Sequence, residues 1–132
     1  MRLLLVITAA IESGTGLGLL VAPAAVARLL LGAGLDTPVA VTVARIAGAA
    51  VLALAVACWL SRGNGRALAF AMLFYNVSAA AILFHATVGP GLTGIGLWPA
   101  ILLHTGMGIW CAAALKSPRR PAHASQRAPS SF

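Results

Sequence analysis

Four long apolar runs, separated by short stretches rich in proline, glycine or charge, occupy nearly the whole chain. About 20 consecutive apolar residues make a helix that crosses the hydrocarbon core of a bilayer. The pattern predicts such helices over about 3–22, 38–61, 67–88 and 95–115. Between the first two lies PAAVARLLLGAG, opening at Pro23 and closing at Gly32 and Gly34. It is too short to cross, so it is expected to lie along the interface, with Val26, Leu29 and Leu30 on one side and Arg28 toward water. Thr37 before Pro38 reads as an N-cap followed by proline at the first helical position. SRGNGR (61–66) reads as a turn, and Gly89-Pro90-Gly91 ends the third run. The tail, 117–132, is rich in Pro, Ser and Arg and reads as disordered. The expected fold class is all-α: an integral membrane four-helix bundle over 1–116, with a short interfacial helix after the first span and a basic cytoplasmic tail.

Composition sharpens this picture. The chain has 132 residues, of which 61% are hydrophobic, and carries only nine Lys and Arg and two Asp and Glu. Four spans leave no room for a soluble catalytic domain, so no enzyme and no cofactor is expected. A net charge of +7 raises nucleic acid as a partner, but the basic residues cluster at span ends, where they set orientation and meet anionic lipid, and no nucleic acid is expected. Arg2, Arg62, Arg66, Lys116 and the three tail arginines share one side, against Arg28 on the other. Both termini are therefore expected in the cytoplasm, with the bilayer as partner and anionic lipid at the cytoplasmic face. Trp59, Trp98 and Trp110 fall near span ends, as aromatic belts do. Cys58 and Cys111 are expected as free thiols packing as small apolar groups. The start, Met1-Arg2 then LLLVITAA with Ala22-Pro23-Ala24 later, imitates a cleavable signal. Its length and Glu12 favour a retained first span.

Candidate chemistry lies inside the apolar runs. Charges in hydrocarbon cost about 2.5–3.5 kcal/mol on insertion scales and mark a polar interior. Helical rise places Glu12, Arg45, Asn76 and His104, one per span, in roughly the same slab of the membrane. Glu12 shares a face with Thr8, Thr15 and Gly16; Arg45 with Thr42, Gly48 and Ala49. His104 lies on a small-residue stripe with Ala100, Gly108 and Ala112, and span one carries another, Ala10, Gly14 and Gly18. Such stripes let helices approach closely in lipid, within one chain or in a homo- or hetero-oligomer. Two readings follow. In the structural one, Glu12 and Arg45 neutralise each other while Asn76 and His104 bond across helices. In the functional one, the layer is a ligand-binding site for a small polar molecule, a proton or an ion. No metal site is expected: His85 and His104 differ in depth by about 9 Å, too far to share a metal or haem. Gly14, Gly16 and Gly18 follow no strand, so they are no phosphate loop, and the Asn76-Val77-Ser78 sequon sits at membrane depth.

The stretches VARIAGAAVLALAVACWLSR (43–62), FYNVSAA (74–80) and LWPAILLHTGMGIWC (97–111) resemble those of small bacterial four-span proteins without established activity. The layout is distantly similar to DoxX-like membrane proteins, which also have four helices and a short segment after the first. That resemblance implies fold and membrane location, and carries no functional residue. Glu12 in AAIESG also resembles the proton-coupled glutamate of small multidrug resistance transporters. Two features depart from that family: Arg45 is placed to neutralise Glu12, and the charge bias is strong. The expectation is a non-enzymatic structural or accessory membrane protein of the bacterial inner membrane. The alternative is a small proton-coupled transporter using Glu12.

Overall fold

The structure, a computed structural model, describes residues 2–61 and 65–117. These form five helices and no strand: α1 (Arg2–Val21), α2 (Pro23–Leu31), α3 (Pro38–Leu60), α4 (Arg66–Val88) and α5 (Leu97–Lys116). All but α2 are long and apolar enough to cross a membrane. The nine residues of α2 extend only about 14 Å at helical rise. The centre of the 61–66 turn and the basic tail from 118 onward lie outside the described residues.

Proline and glycine set the joints. Pro23 and Pro38 occupy the first turns of α2 and α3, where a missing N–H costs nothing. Thr37 caps α3 by accepting a bond from the Ala40 N–H at 3.1 Å. Gly32 ends α2 at φ 74°, a left-handed conformation that a side chain disfavours. The α2 end is then stitched to the loop before α5. Gly94 packs against the Leu30 carbonyl with no room for a Cβ, and the Gly96 N–H donates to the Leu29 carbonyl at 2.8 Å. These contacts tie the first half of the chain to the start of its last helix.

The long helices associate as two pairs, α1 with α3 and α4 with α5. The first pair meets backbone to backbone at Gly16 and Gly48. A Cβ on either would stand 2.9 Å from the other's carbonyl oxygen. Lipid offers no hydrophobic drive between helices, so such close van der Waals approach is what holds them together. The predicted Ala10–Gly14–Gly18 stripe makes no such seam. Ala10 is exposed, Gly14 faces open space, and Gly18 meets Val26 of α2.

One apolar cluster joins the pairs at the end where α1 begins and α3 and α5 finish. Leu4, Leu5 and Ala9 of α1 pack with Cys58 of α3, Met72 of α4 and Cys111 of α5. Both cysteines are buried free thiols. The exterior is apolar as well: Val39, Ile46, Phe74, Ile82, Leu102 and Ile109 all point outward. A surface of this kind is suited to a bilayer, not to water.

Candidate functional site

Midway along α1, Glu12 is turned fully inward, with only 4% of its surface exposed. The Tyr75 hydroxyl of α4 donates to its Oε2 at 3.2 Å. The next residue, Asn76, is equally enclosed. Its Nδ2 donates to the Met72 carbonyl, one turn back, at 2.7 Å. That commitment turns Oδ1 toward α5, where it lies 2.9 Å from His104 Nδ1. Since an amide oxygen only accepts, His104 must donate from Nδ1. The rings of Tyr75 and His104 then meet edge to face, centroids 5.6 Å apart and planes at 82°. This geometry favours aromatic pairs.

Glu12, Asn76 and His104, three of the four residues singled out from the sequence, thus fall in one cluster spanning α1, α4 and α5. The fourth does not. Arg45 is exposed on α3, Glu12 takes its bond from Tyr75, and no Glu12–Arg45 ion pair forms among the described residues. The cause is the close approach at Gly48. Three residues along a helix turn a side chain by about 60°, so when Gly48 faces α1, Arg45 is carried to the flank. There its long stem can run toward the interface.

Tyr75 was not anticipated as the centre of the cluster. The available signal was modest: it is the chain's single tyrosine, at the same depth as Glu12 and adjacent to Asn76. Thr8, one turn before Glu12, is buried with its hydroxyl unpartnered among the described residues. His85 is exposed and lies nine residues beyond Asn76, about 14 Å along α4. No group of three His, Cys, Asp or Glu among the described residues converges on a metal position.

Chemically, the cluster consists of two separate hydrogen bonds joined by a ring contact. Glu12–Tyr75 links α1 to α4, and Asn76–His104 links α4 to α5. Tyr75 and His104 touch through their ring faces and edges, so the four groups do not form a continuous proton wire. They do satisfy one another. A buried polar group left without a partner costs about 1–3 kcal/mol, and here each principal polar side chain has found a bond.

The chain matches no family model, no curated protein and no solved structure, so neither family resemblance gains support from relatives.

Proposed function

We propose that this is a multi-pass protein of the bacterial cell membrane with both termini in the cytoplasm. Its role is that of a non-enzymatic structural or accessory component, and its buried polar cluster fixes how two helix pairs sit together. The observation that carries this reading is the Glu12–Tyr75 bond, which crosses from the α1/α3 pair to the α4/α5 pair. Interhelical bonds of this kind contribute about 0.6–2 kcal/mol each in a membrane. The apolar cluster of Leu4, Leu5, Cys58, Met72 and Cys111 closes the same seam at one end, and this bond adds the polar link midway along it. The orientation rests on the Lys and Arg bias alone. A DoxX-like layout rests on the short helix that follows the first long one.

One observation favours a second reading, a small proton-coupled transporter resembling the small multidrug resistance family. The expected neutralisation by Arg45 is absent: Glu12 is buried with a neutral phenol as partner, and the Thr8 hydroxyl one turn away has no partner among the described residues. Intramembrane carboxyls mark transport pathways often enough to make this specific.

Glu12→Gln separates the two. Glutamine keeps an oxygen for Tyr75 to bond but removes the titratable group. The structural reading expects a variant as stable as the parent and unchanged in every uptake, efflux or proton-release assay. The transporter reading expects ligand-dependent proton release in reconstituted vesicles to disappear while folding survives.

A further inference from the structure

The outer face of the α4/α5 pair carries a groove that meets the polar cluster only at His104. At one end it is about 730 Å³ and lies between Arg66, Phe70, Leu115 and Lys116. Toward the middle of the helices it continues as a hollow of about 340 Å³ lined by Val77, Ala80, Thr105 and Gly108, with His104 at its inner wall. Leu73 and Ala112 border both hollows, so the two adjoin in series along the α4/α5 pair. From Lys116 to His104 is twelve residues of α5, about 18 Å at helical rise. Half of a 30 Å hydrocarbon core is about 15 Å, so the groove is one leaflet deep.

Its chemistry changes along its length. The end is cationic: Arg66 and Lys116 stand on opposite helices at the mouth, both exposed. The Arg66 guanidinium is steadied by donating from Nη2 to the Leu115 carbonyl. A guanidinium has five N–H donors in a planar fork that matches phosphate oxygens, so one bond to a carbonyl leaves it able to serve an anion as well. In sequence, Arg62 stands four residues before Arg66, and Arg119 and Arg120 follow Lys116 by three and four, while the chain's two acidic residues are Glu12 and Asp36. Below the mouth the walls are Phe70, Leu73, Val77 and Ala112, with nothing charged.

From this arrangement we infer that the α4/α5 groove is a binding site for one anionic phospholipid. The phosphate sits between Arg66 and Lys116, and an acyl chain lies along Leu73 and Ala112 to the level of His104. Charge complementarity at the mouth, an apolar trough beneath it and a length of one leaflet together select this occupant. A zwitterionic lipid would fill the trough but bring its own cation to the mouth. The inference rests on the membrane-embedded reading but not on the role given to Glu12.

Native mass spectrometry of the full chain, extracted in mild detergent and incubated with phosphatidylglycerol or phosphatidylcholine, tests it. The parent should retain one phosphatidylglycerol at least fivefold more than phosphatidylcholine. Arg66→Gln with Lys116→Gln should abolish that preference. Ala112→Phe, which fills the trough and leaves both cations, should lower retention of both lipids. If Ala112→Phe does not fold, Thr105→Trp at the exposed rim serves the same purpose. Undiminished preference in the double variant overturns the site, as does undiminished retention when the trough is filled, which would mean surface charge alone. Recovery of the chain in the aqueous fraction without detergent would instead sink the membrane reading itself.

Discussion

Glu12, Asn76 and His104 were legible from the sequence because each is a lone polar side chain in an apolar run, where accident is costly. Arg45 satisfied the same test of depth and failed on direction. Depth follows from counting residues, whereas direction depends on which neighbour the helix packs against, and Gly48 decided that. Arg45→Met should therefore leave unfolding free energy within about 0.5 kcal/mol, as for surface positions without a partner. A loss of several kcal/mol in detergent unfolding would restore an internal role for the guanidinium. Tyr75 carries no comparable sequence signal, since tyrosine in membrane helices commonly serves as an interfacial anchor; here its hydroxyl turns inward to the Glu12 carboxyl. The two thiols offer a second check. Cys58 and Cys111 are wholly buried, so alkylation by a maleimide should be negligible in the folded protein and complete for both after unfolding.

Element boundaries were legible wherever backbone chemistry enforces them. The cap at Thr37, the prolines at the starts of α2 and α3, and the left-handed glycine that closes α2 all act locally. Pairing was not legible. The long helices are apolar around most of their circumference, so no stripe announces which side meets a neighbour. Two glycine patterns competed on α1, one through Gly16 and one through Gly14, and only the backbone contact with Gly48 chose between them. Gly48→Leu should accordingly lower stability by about 1–3 kcal/mol, the usual cost of forcing atoms into a packed seam. Gly14→Ala should be neutral or slightly stabilising, since Gly14 faces open space and alanine is the better helix former. Resistance to unfolding by SDS measures both, and equal effects would mean that α1 meets α3 through its Gly14 face.

Across the whole molecule, the number of long apolar helices and the all-helical class could be read from run lengths alone. How the helices divide into two pairs, and what bridges them, required coordinates. Lipid gives hydrophobic helices no reason to prefer one partner, so small differences in close packing and a few polar bonds decide. Orientation is a separate matter governed by charge. A reporter joined to the carboxy end should be active only if it functions in the cytoplasm, and a periplasm-only reporter at the same point should be silent. The central claim is that the Glu12–Tyr75 bond couples the two pairs midway along a seam that the apolar cluster closes at one end. A double-mutant cycle on Glu12→Leu and Tyr75→Phe, followed by reversible unfolding in mixed micelles, addresses it most directly. A coupling energy of about 0.6–1.7 kcal/mol is expected from interhelical bonds in membranes. Strict additivity, within about 0.3–0.5 kcal/mol of zero coupling, would show that the two side chains do not bond and that the apolar cluster joins the pairs without them.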